Sequence, residues 1–195
     1  EGFCIAISVG IFMFAWNSRR LMENDYLLFL GIASLFIGFL DGLHTMAYKG
    51  MGVFGGQDAN LPTQLWILTR SVHAVSFLVA PVFLKKVLRP SAAVGPLLLV
   101  TVLSLLSIFV WDVFPDSYIE GLGLTPFKIY SEYAIILVFL ASSAAVMAFR
   151  RSFDPGVMRL IRGAIALNIA SELPFTRYLG VYDFFNELGH LYKIA

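Results

Sequence analysis

Residues 26–45 read YLLFLGIASLFIGFLDGLHT, and this stretch decides the fold. Its only charged residue is Asp41, and its length matches the roughly 20 apolar residues that a helix needs to cross a bilayer. We therefore predict a membrane-spanning helix here. Ser34, Gly38 and Gly42 are spaced four apart, so they predict a smooth stripe on which a neighbouring helix packs closely.

Similar apolar segments fill most of the chain. Of its 195 residues, 58% are hydrophobic and only 14% are charged, whereas soluble domains carry about a quarter charged residues. The composition thus excludes a soluble globular protein and leaves no room for a soluble catalytic domain. Further spans are predicted at residues 2–16, 61–84, 94–113, 127–149, 156–175 and from 182 onward.

These segments predict an all-α fold: one polytopic membrane bundle of about seven transmembrane helices over residues 1–195. The first span begins at the chain start, and the last is shorter than a bilayer demands. We therefore expect the outermost helices to be cropped and the chain to be a fragment. Membrane lipids are expected partners, and the net charge of +1 gives no indication of nucleic-acid binding.

The distribution of lysine and arginine predicts the orientation, because basic residues near helix ends are retained in the cytoplasm. One side of the predicted bundle carries nine: Arg19, Arg20, Lys85, Lys86, Arg89, Arg150, Arg151, Arg159 and Arg162. The other side carries three: Lys49, Lys128 and Arg177. The first side is therefore predicted to be cytoplasmic, so that the upstream end lies outside and the seventh helix runs inward. This orientation, with the C-terminal end of the chain directed into the cytoplasm, is the one expected of a sensory input domain.

Polar residues are concentrated in the outer half of the predicted bilayer. A charged side chain near the membrane centre costs about 2.5–3.5 kcal/mol on insertion scales, so each needs a partner, a water-filled cavity or a function. From helix direction and rise we place ten polar residues at this level: Glu1, Asp41, His44, Gln64, Arg70, Glu132, Glu172, Asn186, Glu187 and His190. This convergence predicts a ligand-binding or metal-binding site in the outer half of the membrane.

Within this group, Asp41 and His44 share one helix face, and so do Glu187 and His190. Two histidines with carboxylates are ligands that divalent transition metals accept. We predict direct ligand or metal contacts for four residues: Asp41, His44, Glu172 and His190. Four others are predicted to orient them or to contact the ligand: Tyr48, Gln64, Arg70 and Asn186.

A purely structural role is the main alternative. Asp41, Glu172 and Arg70 then pair with each other and hold the helices together, with Arg70 as the counter-ion of either carboxylate. His73 is interpreted as an interior histidine. Pro174 removes a backbone donor and crowds the carbonyl of Ala170, which predicts a bend in the sixth helix that serves either signalling or architecture alone.

Three motifs also resemble a known family. They are Asp41-Gly-Leu-His-Thr-Met-Ala-Tyr-Lys-Gly-Met51, Asn60-Leu-Pro-Thr-Gln-Leu-Trp-Ile-Leu-Thr-Arg70, and Ser171-Glu172 together with Asn186-Glu-Leu-Gly-His190. The chain is similar over its whole length to the third type of membrane-associated sensor domain, in the MASE family of bacterial signalling proteins. The resemblance implies an N-terminal, seven-helix sensory module of the bacterial inner membrane that usually works as a dimer.

Such modules are usually fused to PAS, histidine kinase or diguanylate cyclase domains, so the resemblance implies a cytoplasmic signalling domain after residue 195 and leaves the stimulus open. The leading hypothesis is a non-enzymatic sensor that binds a small ligand or metal ion and signals through helix seven. One alternative is a b-type haem held by His44 and His190 that senses redox state or oxygen. Another is a metal-dependent hydrolase with Glu172 as the base.

Overall fold

The computed structural model describes residues 2–22, 24–48, 50–54, 59–175, 189 and 191. Six α-helices have their bounds within these residues: α1 Gly2–Ser18, α2 Tyr26–Ala47, α3 Asn60–Val79, α4 Pro90–Phe109, α5 Pro126–Ala148 and α6 Pro155–Phe175. One 3-10 helix, Ala80–Leu84, extends α3, and another, Arg150–Ser152, joins α5 to α6. Two short antiparallel strands, β1 Tyr118–Ile119 and β2 Gly123–Leu124, form a hairpin before α5.

The all-α prediction is confirmed. In the described part of the chain, four helices are long and apolar enough to cross a membrane: α2, α3 with its 3-10 extension, α4 and α5. Helix α1 is apolar but shorter. The predicted seventh span lies outside the described residues except for Gly189 and Leu191, whose backbone is helical. The count of about seven helices therefore stays a prediction.

Prolines set the starts of three helices. Pro90, Pro126 and Pro155 begin α4, α5 and α6, where a missing backbone donor costs nothing and a fixed φ favours the first turn. The hydroxyl of Thr125 also accepts a hydrogen bond from the backbone N–H of Lys128, which caps α5.

The boundaries of the fourth span were predicted wrongly. Helix α4 begins at Pro90 and ends at Phe109, whereas the prediction placed it at residues 94–113. After the helix, Asp112 adopts a φ of 50°, and the N–H of Val113 donates to the carbonyl of Ser107 at 3.0 Å. A bond that spans six residues does not belong to an α-helix, so the helix has ended before it, and the apolar residues Val110, Trp111 and Val113 hide this end from a hydropathy argument.

Helices α2 and α3 form the centre of the bundle. Helix α1 and helix α4 pack on α2, α5 packs on α3, and α6 packs on α5. The approach of α1 to α2 is close, because a side chain at Gly38 would come within 2.9 Å of the Ser8 Cβ, and one at Gly31 would meet Ala15. The predicted small-residue stripe is thus confirmed at Gly38, whereas at Gly42, which has no described atom within 4 Å to meet, it stays a prediction.

The alternating helix directions give the bundle two chemically different ends. At what we call the polar end, α2 and α6 finish while α3 and α5 start. At the basic end, α3 and α5 finish and α2, α4 and α6 start. There the Leu88 N–H, just before α4, donates to the carboxylate of Asp25, just before α2, at 2.7 Å. Of the nine basic residues that were predicted to be cytoplasmic, seven flank helices at the basic end, and Arg159 and Arg162 lie within the first turns of α6, which starts there. Which end faces the cytoplasm stays a prediction.

Candidate functional site

A buried arginine on α3 connects to α6 in the interior of the bundle. Arg70 is 1% exposed, and its Nε donates to Oε1 of Glu172, which is fully buried on α6. Its Nη2 donates to Asn168 at 2.8 Å and to the Ser171 hydroxyl at 3.1 Å. Its Nη1 contacts Nδ1 of His73 at 3.1 Å. The ion pair that sequence reasoning offered as one alternative for Arg70 is therefore present.

Helical spacing explains why these side chains meet. On α6, Asn168, Ser171 and Glu172 occupy positions i, i+3 and i+4, so all three lie on one face. On α3, Arg70 and His73 are likewise three apart. Because a guanidinium only donates, Nδ1 of His73 must accept, and the proton of its neutral ring then lies on Nε2.

A polar cavity of about 160 Å³ adjoins this cluster. Its walls come from α1, α2, α3 and α6, and its polar lining is Cys4, Ser8, Ser34, Asp41, Thr69, Arg70, His73 and Asn168. Pockets for drug-sized ligands measure about 300–1,000 Å³, so this one suits several waters or a single small solute. Among the residues that the structure describes, four of the five N–H groups of Arg70 have acceptors, so the remaining one, on Nη1, is available to donate to a solute.

A second buried ion pair lies on α5, where Lys128 donates to Oε1 of Glu132 one turn deeper in the helix. Both side chains are fully buried. Lys128 also interacts electrostatically with Glu172 and Arg70, which joins this pair to the α3–α6 cluster. In the described part of the chain, neither Oε2 of Glu132 nor Oε2 of Glu172 has a hydrogen-bond partner.

His44 lies apart from the cavity, in an aromatic corner at the polar end. Its Nδ1 donates to the carbonyl of Pro62 at 2.8 Å, so Nε2 is the ring atom with a lone pair. The ring lies 5.4 Å from Trp66 and 6.2 Å from Tyr48 between centroids. Trp66 in turn lies 4.4 Å from Phe175 and 5.5 Å from the Arg70 guanidinium. Trp66 therefore connects the corner to the arginine cluster.

The remaining predicted site residues have other positions. The Gln64 amide donates to the carbonyls of Phe114 and Pro115, each at 3.2 Å, and thus anchors the connector between α4 and α5 rather than the cavity. Asn186 and His190 lie outside the described residues, as do Glu1 and Glu187.

The predicted metal set does not assemble from the residues whose positions are described. Among them, no group of three or more His, Cys, Asp and Glu side chains is arranged to hold a metal ion. Asp41 lines the cavity, Glu172 pairs with Arg70, and His44 bonds to Pro62. A metal or haem site would thus depend on His190, and that part of the hypothesis stays a prediction.

Sequence reasoning missed three members of the cluster. Lys128 was assigned to the membrane surface, although its i, i+4 spacing to Glu132 signals an ion pair. Asn168 and Ser171 were passed over, although they share the face of Glu172. His73, which was interpreted as an interior histidine, is half-buried and lines the cavity, and its contact with Arg70 was not predicted.

Comparison with protein-family models gives a match over the whole chain. The family model MASE3, described as a membrane-associated sensor domain, matches residues 1–195. No protein of curated function and no solved structure matches the chain.

Proposed function

Because this chain belongs to the MASE3 family of membrane-associated sensor domains, we propose that it is the sensory input domain of a bacterial signalling protein. It lies in the inner membrane with its basic end in the cytoplasm and controls a downstream histidine kinase or diguanylate cyclase. The stimulus is a small polar solute or ion that enters the 160 Å³ cavity. The domain itself performs no chemistry.

The observation that carries this proposal is that the cavity-lining arginine also joins two helices. Arg70 lines the cavity and holds Glu172, Asn168 and Ser171 of α6 with three of its N–H groups. A solute that contacts Arg70 or Asp41 favours one arrangement of α3 relative to α6. A ligand shifts a conformational equilibrium only if it binds one of the two states more tightly than the other. The Arg70 guanidinium contacts both the cavity and α6, so a solute bound to it would have different affinities for the two arrangements of α3 and α6.

A series of ring contacts leads from the arginine to the last segment of the chain. Arg70 lies over Trp66, and Trp66 packs against Phe175. Gly189 is buried against the Phe175 ring, where a Cβ would collide with it. A shift of α3 against α6 would therefore reach the helical backbone at Gly189, which is the route by which the seventh helix passes the signal to the cytoplasm.

Asp41 offers the first test, in the full-length protein in native membranes. Asp41→Asn removes the only cavity carboxylate among the described residues at almost constant volume, and we expect it to shift the phosphotransfer or cyclic-di-GMP output. Asp112→Asn is the matched control, because Asp112 is exposed after α4 and asparagine also tolerates its positive φ. Equal outputs from the two variants would contradict the proposal.

Cys4 provides an independent probe of the same cavity. It is the only cysteine of the chain and lies in the cavity wall. Methyl methanethiosulfonate converts a thiol to a small methyl disulfide, which at Cys4 adds two heavy atoms beside the cavity. Treated wild type should change its output, whereas treated Cys4→Ser should not. An output that does not respond in wild type would argue against a cavity that controls signalling.

A further inference from the structure

The basic end of the bundle contains a cleft that the proposed sensor function does not use. Helix α3 finishes in the 3-10 helix Ala80–Leu84, and Lys85 follows it. Across the cleft lie residues 147–152, which include the end of α5 and the turn into α6. The cleft has a volume of about 490 Å³ and places Lys85, Arg150 and Arg151 around one space.

None of these three cations forms an ion pair with a described carboxylate. The ion pairs in that part of the chain, Arg70–Glu172 and Lys128–Glu132, lie toward the polar end. Two described carboxylates lie near the cleft, and both serve backbone N–H groups: Asp25 accepts from Leu88 at 2.7 Å, and Asp154 accepts from Gly156 at 2.7 Å. The cleft is therefore a region of positive potential at a helix end, where the dielectric constant falls.

The cations are also positioned to bind an anion together. The Lys85 ammonium lies 5.1 Å from the centre of the Phe149 ring, which directs it into the cleft without neutralising it. Arg150 and Arg151 belong to the 3-10 turn, and both side chains are exposed. Arginine binds phosphate oxygens through two parallel N–H groups, and lysine adds a point charge.

Exposed apolar side chains on the helical segments that end at the cleft favour a lipid as the source of that phosphate. Val82 is 44% exposed and Met147 is 36% exposed, and they belong to the membrane-spanning segments that end at the cleft. The ends of such segments lie at the level of the lipid headgroups. A free phosphate would use only the cations, whereas a lipid would also place its glycerol and acyl chains against the apolar side chains.

We propose that this cleft binds the phosphate headgroup of an anionic glycerophospholipid, with Lys85, Arg150 and Arg151 as its ligands. The site is independent of the cavity near Arg70 and holds whether or not that cavity senses a solute. It fixes the end of α3 to the turn between α5 and α6 through a lipid.

Native mass spectrometry of the full-length protein tests this site. The protein is titrated in mixed micelles with phosphatidylglycerol and, separately, with phosphatidylcholine. The triple variant Lys85→Gln/Arg150→Gln/Arg151→Gln should bind phosphatidylglycerol about a hundredfold more weakly than wild type, since each basic residue near an anionic lipid contributes about a fivefold effect. Phosphatidylcholine binding should be weak in both proteins.

The matched control removes the same charge at the same end but outside the cleft: Arg20→Gln/Arg159→Gln/Arg162→Gln. Long-range charge effects are screened beyond about 10 Å, so this control should lose only a few-fold in affinity. An equal loss in both triple variants would overturn the site in favour of a diffuse basic surface. Competition by millimolar inorganic phosphate against phosphatidylglycerol would overturn the lipid assignment and leave a phosphate site.

Discussion

The two buried ion pairs of this domain differ in what they connect. Arg70–Glu172 joins α3 to α6, and its guanidinium also contacts His73, Asn168 and Ser171. Lys128–Glu132 lies within α5, one helical turn apart. An ion pair between helices fixes how they sit against each other, whereas a pair within one helix fixes only its own side chains. The first pair is hydrogen-bonded across two helices and therefore reports their relative movement directly, whereas the second is linked to α3 and α6 only through the electrostatic interaction of Lys128 with Arg70 and Glu172.

Energetics sharpen this difference. Desolvating two charges costs several kcal/mol, and in many proteins a buried ion pair is replaced by apolar residues without loss of stability. Stability alone therefore does not explain why Arg70 and Glu172 are buried beside a polar cavity. The role proposed above, selection between two arrangements of α3 and α6, would explain their burial.

The largest effect is expected when one partner of the interhelical pair is removed. Arg70→Met leaves the Glu172 carboxylate buried without its main counter-charge, so the free energy of unfolding should fall by about 3–5 kcal/mol. The measurement is unfolding in mixed detergent–SDS micelles followed by circular dichroism. Arg159→Met, an exposed residue at the basic end, should change it by less than about 0.5 kcal/mol. Similar losses from both substitutions would show that Arg70 is not a structural centre.

Removing both partners of each pair separates stability from signalling. Arg70→Met/Glu172→Gln and Lys128→Met/Glu132→Gln both eliminate the buried charges, so each should recover to within about 2 kcal/mol of wild type. The output of the full-length protein should change only in the first double variant. The comparison between the pairs fails if the Lys128–Glu132 variant alters the output to the same extent.

The sequence predicts the architecture well because the bilayer imposes a length on apolar segments. It locates α2 and α5 to within a few residues. It fails at the end of α4, where a backbone turn at Asp112 closes the helix within an apolar stretch. Hydropathy measures the free energy of transferring side chains from water to lipid, and it contains no information on the backbone hydrogen bonds that end a helix.

The site is less predictable. Depth along each helix brings Arg70 and Glu172 to one level, but their contact depends on the rotation of α3 and α6. The same uncertainty separates Asp41 from His44, which share a helix face in sequence yet have different surroundings, a cavity and an aromatic corner. The bond from His44 to the Pro62 carbonyl is tertiary, and no spacing rule predicts it.

The smallest effect tests whether the interhelical pair reaches the end of the chain. In Gly189→Ala, the new methyl group collides with the Phe175 ring, which is packed against Trp66 and cannot move without displacing it. Overpacking of this kind costs about 1 kcal/mol or more. We expect a modest loss in unfolding free energy, measured in the same detergent assay, and a shifted output of the full-length protein.

Gly163→Ala is the control for this change, since Gly163 in α6 has no described atom within 4 Å of an added Cβ. Alanine in a helix interior should there stabilise the domain by about 0.5–1 kcal/mol and leave the output unchanged. A Gly189→Ala protein that behaves like Gly163→Ala would mean that Phe175 yields without disturbing Trp66. The route from Arg70 to the last segment would then be broken, and the difference between the two ion pairs would have no consequence for signalling through that helix.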